Sequence, residues 1–150
     1  MVRKLELHAD LKTFNNGYEF LNFLIDGENV GEIKFERFED SFEMFGFMFH
    51  AEEKFFKIFP YHKIINLSIL FIEEKFRNKG IATTLMTKFL ELFNKTEEFK
   101  KYEIIYLEVD PYIDNISEKD LTNFYKKFGF EEKVFFKEEL FNRIMIYKRK

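Results

Sequence analysis

At 150 residues with a formal net charge of −3, the chain has the size of a single domain and lacks the basic field that a general nucleic-acid coat needs. It contains no cysteine, which excludes disulfides, thiolate metal sites and a cysteine nucleophile. No apolar run approaches the roughly 18 residues of a membrane span and no leader follows the N-terminal charges, so no membrane partner and a cytoplasmic location are expected.

In chain order, Arg3 to His8 reads as a short first strand, and Asn15-Asn16-Gly17 as a turn. Tyr18 to Asp26 and Asn29 to Phe38 then flank Asp26-Gly27-Glu28 as a hairpin with β-branched and aromatic arms. Residues 39–63 follow neither helical nor strand period. Their structure stays open, with a short helix over Glu52 to Phe59, closed by Pro60, as one reading.

The run Ile64 to Ile72 reads as a central strand buried on both faces. Ile81, Leu85, Phe89, Leu92 and Phe93 recur at helical spacing, so a helix runs from near Gly80 to near Asn94. Ile104 to Val109 is a second apolar strand, ended by Asp110-Pro111. Ser117-x-x-Asp120 caps a helix striped by Leu121, Phe124, Tyr125 and Phe128, with Gly129 placed to end it. Val134 to Phe136 and Arg143 to Tyr147 form a final hairpin. This alternation predicts an α/β (α+β) domain over residues 1–150, a mixed sheet with helices packed on it. Most of the 23 Phe are read as core.

The strongest chemical signal lies between the first buried strand and its helix. A helix start carries N–H groups without intrahelical partners and a partial positive charge. Gly80 lets backbone approach a bulky anion, Ala82 keeps the next turn small, and Lys75, Arg77 and Lys79 add charge. The spacing fits neither a Walker loop nor a dinucleotide fingerprint. His8, His50 and His62 show no metal-ligand spacing, and no metal is expected. Glu108 interrupts an otherwise apolar strand, where a carboxylate needs a partner or a cleft; Asn66 and Ser68 interrupt one face of the other.

Arg77-x-x-Gly80-x-Ala82 resembles the Gln/Arg-x-x-Gly-x-Gly/Ala signature of the GNAT acetyltransferases. Phe124-Tyr125-Lys126-Lys127-Phe128-Gly129-Phe130 is similar to that family's Tyr-x-x-x-Gly-Phe segment. The resemblance implies the GNAT fold, with acetyl-CoA as co-substrate in a V-shaped opening between two parallel strands. Main-chain groups of Leu70, Phe71 and Ile72 would hold the pantetheine arm. Arg77 and the amides of Asn78, Lys79, Gly80, Ile81, Ala82 and Thr83 would hold the pyrophosphate. It further implies N-acetyl transfer by direct attack of a primary amine, on a small molecule, a protein N-terminus or a lysine. Tyr125 stands where the family carries its general acid, Glu108 is the candidate base, and Asn66 and Ser68 are candidates to line the acceptor channel.

The chain departs from the family between its first two strands, where only about residues 9–17 are available for the usual one or two helices. Either that wall is missing, leaving a reduced N-terminal helical region, or the segment 39–63 replaces it through Phe45, Phe47, Phe49 and Tyr61. Two further readings stand beside the enzyme: a non-catalytic acyl-CoA-binding or protein-interaction module, and a toxin-like enzyme acting on charged tRNA, which would need a basic acceptor face. A homodimer is left open.

Overall fold

The computed structural model describes residues 5–13, 19–40, 43–44, 62–77, 80–109, 117–133 and 143–149. Its backbone falls into two units, Met1–Glu36 with Leu67–Phe99 and Arg37–Asn66 with Lys100–Lys150.

The first unit begins with β1 (Leu5–Thr13), β2 (Glu19–Ile25) and the opening part of β3 (Glu28–Asp40). These pair antiparallel in sequence order. The hairpin between β2 and β3 turns at Asp26 and Gly27, with φ +51° and +79°. Positive φ at both positions is what a two-residue type I′ turn requires. The first strand is longer than the expected Arg3 to His8. A register irregularity between His8 and Lys12 carries β1 on to Thr13, so part of the 9–17 stretch is strand. A bulge of this kind keeps polar residues in a ladder that strict alternation would end.

The same unit holds the second half of β4 (His62–Ile72), a 3₁₀ turn at Glu74–Phe76, α1 (Ile81–Lys95) and a second 3₁₀ turn at Glu97–Phe99. Leu85, Met86, Phe89, Leu90 and Phe93 are the buried face of α1. Ile81 and Leu92, assigned to that stripe from spacing, are only partly buried, because Met86 and Leu90 turn the face toward themselves. Phe35 of β3 meets Phe89 and Phe99 at ring-centroid distances of 5.9 Å each. Each such buried ring contributes about 1.5–3 kcal/mol.

The second unit contains the first half of β4, then β5 (Ile104–Val109), α2 (Glu118–Lys126), β6 (Glu131–Lys133) and β7 (Arg143–Lys148). Its strand order is β4-β5-β7-β6. β4 and β5 run parallel, with Ile64, Ile65 and Asn66 opposite Ile104, Ile105 and Tyr106. β7 is antiparallel to both β5 and β6. The mixed strand directions with helices in both units match the expected α/β class. The final pairing includes Glu131–Lys133; the predicted Val134 to Phe136 lies outside the described residues, as does the helix read over Glu52 to Phe59.

Burial in β4 corrects one expectation. Ile64, Ile65 and Leu67 are at most 4% exposed, as a strand covered on both faces should be. From Ser68 to Ile72 the side chains are only partly covered, and Phe71 is 37% exposed. A run of apolar residues does not by itself distinguish a buried strand from one whose end emerges at the surface.

Gly31 of β3 lies against that emerging end: a Cβ there would sit 2.4 Å from the carbonyl oxygen of Phe71. Gly31→Ala is expected to cost about 1–3 kcal/mol by forcing backbone apart. Urea unfolding should show a lower midpoint at unchanged slope.

Candidate functional site

Gly80 is the N-cap of α1, with φ +74° and ψ +8°. This left-handed conformation costs a residue with a Cβ about 1–2 kcal/mol. Its carbonyl accepts the N–H of Thr84 at 3.3 Å and the Thr84 hydroxyl at 3.2 Å. Glycine has no side chain with which to cap, and the first turn contains no acidic residue. The amides of Ile81, Ala82 and Thr83 are therefore helix-start donors with a dipole behind them and no carboxylate from their own turn.

Helix α2 resolves the same problem the opposite way. The Ser117 hydroxyl accepts from the Asp120 N–H at 3.0 Å, and Glu118 and Asp120 occupy its first turn. This is the predicted cap, and it leaves that start closed and negative. Of these two helix starts among the described residues, that of α1 is the one without a capping side chain or an acidic first turn.

The loop before α1 uses its cations locally. Arg77 Nε donates to the Ile72 carbonyl at 3.0 Å, and its guanidinium lies 5.7 Å from the centroid of the Phe71 ring. Lys75 forms an ion pair with Glu28 and lies over the Phe76 ring. Both members of that ion pair are well exposed, so it adds little stability, but it directs the Lys75 ammonium toward the start of β3. Asn78 and Lys79 lie outside the described residues. Leu70 and Ile72 are partly buried and Ser68 likewise. The Ser68 hydroxyl donates to Glu36 Oε1 at 2.8 Å. Glu36 is 5% exposed; it stands among Lys34, Arg37 and Glu39 in a strand of mixed polarity, so no local signal in the sequence marks it as buried. The first unit thus brings together Ser68, Leu70, Phe71, Ile72, Arg77, Gly80, Ile81, Ala82 and Thr83.

Asn66, Glu108 and Tyr125 belong to the second unit. Asn66 is buried and stands opposite Tyr106 in the parallel ladder. Tyr106 is fully buried, and its phenol donates to Glu108 Oε1 at 3.4 Å. Burial first, then the charge and the hydrogen bond of Glu108, push the Tyr106 phenol well above the ordinary tyrosine range. Glu108 itself is partly buried.

Tyr125 is fixed by the end of its helix. The Phe130 N–H bonds to the Tyr125 carbonyl at 3.3 Å and the Gly129 N–H to the Lys126 carbonyl at 3.1 Å. With Gly129 at φ +98°, this is a Schellman motif. The apolar contact that accompanies such a motif is the Tyr125 ring against Phe130, 5.6 Å between centroids. Phe130 in turn meets Tyr147 at 5.4 Å. Tyr147 is opposite Ile105 in the ladder and Glu108 is opposite Ile144. Alternation along β5 therefore puts the Tyr125 cluster and Glu108 on opposite faces.

Among the described residues no group of three or more His, Asp or Glu is arranged to hold a metal, and no helix is long and apolar enough to cross a membrane.

A family model described as the acetyltransferase (GNAT) domain matches residues 16–132. Nothing among curated proteins matches. Among solved structures the chain is similar to AtaTR bound with acetyl-CoA, at 13% identity over 89% of this chain and 69% of that one, TM-score 0.57. It is similar to the PaiA N-acetyltransferase from Thermoplasma acidophilum in complex with coenzyme A, at 17% identity over 88% and 61%, TM-score 0.52. It is also similar to the protein of a KacTA–DNA complex, at 11% identity over 98% and 93%, TM-score 0.61. At these identities the likeness is one of fold.

The raised Tyr106 titration sets a pH dependence. The unfolded chain loses this proton first, near the ordinary value of 10.0, while the folded chain still holds it. The contribution is therefore intact below that pH and is lost as pH rises through the folded value. Tyr106→Phe should lose less stability than the parent above about pH 10 when urea midpoints are compared across pH.

Proposed function

The chain belongs to the GNAT acetyltransferase family, and from that premise we propose that it transfers an acetyl group from acetyl-CoA to a primary amine. The observation that carries this reading is the uncapped, carboxylate-free start of α1 behind a left-handed Gly80. It is supported by the contrast with α2, whose start is closed by Ser117.

The residues present fit the coenzyme. Gly80, Ile81, Ala82 and Thr83 offer consecutive main-chain donors for a diphosphate, and Gly80 adds no side-chain bulk. Leu70, Phe71 and Ile72 offer main chain at the emerging end of β4, with one acceptor position on Ile72 already used by Arg77. When bound, acetyl-CoA supplies an activated thioester, so the protein needs no nucleophile of its own and the absence of cysteine is no obstacle.

Proton handling falls to the second unit. Tyr125, held by both its backbone and its ring, is assigned as the acid that protonates the departing sulfur. A primary amine is largely protonated at neutral pH, with reference values of about 8 for an α-amino group and about 10.4 for lysine. Glu108 is assigned as the base that removes that proton, and Asn66 and Ser68 as contacts for the acceptor.

Two variants and one acceptor panel test the assignment. Gly80→Glu combines backbone strain with a carboxylate in the anion site, and it should weaken acetyl-CoA binding at least about tenfold by calorimetry while the protein stays folded. Tyr125→Phe should lower kcat about 100-fold with acetyl-CoA affinity retained. Thiol release is measured with small amines, peptide N-termini, lysine peptides and aminoacyl-tRNA as separate arms. Binding without release from any acceptor would reassign the chain as a coenzyme-binding module, and no binding at all would sink the reading.

A further inference from the structure

Tyr106 is a buried phenol hydrogen-bonded to a residue of the proposed chemistry. It stands two positions before Glu108 in β5, so both side chains project from the same face. Tyr106 is fully buried and its oxygen is 3.4 Å from Glu108 Oε1. Catalytic hydrogen bonds are often this long in a ligand-free site and shorten when substrate arrives.

Charged groups on that face stand one pair or one strand away: Lys148 opposite Ile104, and Glu131 and Lys133 on β6 opposite Ile146 and Ile144. Across β4 the partner of Tyr106 is Asn66, and across β7 the partners of Tyr106 and Glu108 are Ile146 and Ile144. The α2 cluster of Tyr125, Phe130 and Tyr147 lies on the opposite face, with Ile105. Among the described residues, Glu108 is the charged group that acts on the Tyr106 phenol.

We propose that Tyr106 is a positioning residue, whose phenol orients the Glu108 carboxylate for removal of the acceptor's proton. This rests on the reading of Glu108 as the base. A phenylalanine would fill the same apolar space, so the hydroxyl is the part that needs explaining. Buried phenols are kept where they find a partner, and here the partner is the carboxylate. The hydroxyl donates to the ionised form and so favours the form that accepts a proton.

The test is a carbon-13 titration of the Glu108 carboxyl in the full chain, the signal being assigned by its disappearance in Glu108→Gln. In Tyr106→Phe the midpoint should rise by about one pH unit, because a donor to the ionised carboxylate is gone. An unchanged midpoint in the folded variant overturns the proposal. If that variant does not fold, fluorotyrosine placed at position 106 substitutes for it. Its more acidic hydroxyl donates more strongly and should lower the midpoint, and no movement overturns the proposal equally.

Turnover separates this role from the reading beneath it. Glu108→Gln at parental kcat removes Glu108 as base and the Tyr106 role with it. A loss of about 100-fold in Glu108→Gln, beside an acid limb of kcat that stays in place in Tyr106→Phe, keeps the base and refutes the positioning role. An acid limb that moves to higher pH in Tyr106→Phe, with KM for acetyl-CoA unchanged, supports both.

Discussion

Main-chain donors at a helix start must be satisfied by something, and the way this chain handles that constraint at its two long helices decides how the rest is interpreted. At α2 a serine hydroxyl accepts the amide three residues on and two carboxylates offset the dipole. At α1 a left-handed glycine replaces the capping residue and the first turn holds no acid. The two starts differ by a few side chains, yet one is capped by its own sequence and the other has neither a capping side chain nor a carboxylate in its first turn. Nearby, Lys75 is paired with Glu28, and Arg77 keeps its charge while donating to the carbonyl of Ile72.

The polar residues of the strands show a second regularity. Asn66 and Glu108 break apolar strands and Glu36 lies in a mixed one, and each is wholly or partly buried. Burying such groups is costly unless they are hydrogen-bonded, and the recorded partners of the two carboxylates are hydroxyls: Ser68 for Glu36 and Tyr106 for Glu108. A hydroxyl donor holds a carboxylate in place without cancelling its charge.

Much of this was legible in the sequence wherever a local rule was sufficient. The hairpin around Asp26-Gly27-Glu28, the serine cap of α2, the glycine at the start of α1 and the apolar strands around Ile65 and Ile105 all follow from short-range geometry and apolar runs, while the parallel direction of those two strands is implied by the family resemblance. The extension of β1 to Thr13 depends on an irregularity in pairing with β2, which alternation alone does not encode. The Lys75–Glu28 and Ser68–Glu36 contacts join residues 47 and 32 positions apart. Such pairs exist only once the strands are in register, so neither contact is written in the local sequence.

The Schellman turn at the end of α2 changes what its sequence pattern means. Gly129 supplies a left-handed backbone and Phe130 an amide and a ring, and all three requirements are met at the carbonyl and aromatic face of Tyr125, without its hydroxyl. Selection for correct folding alone would therefore conserve the glycine and both aromatic rings. A descendant with phenylalanine at position 125 would keep the turn and the ring packing, so under the proposed acid role the oxygen atom, rather than the packing around it, would separate a working enzyme from a folded relative.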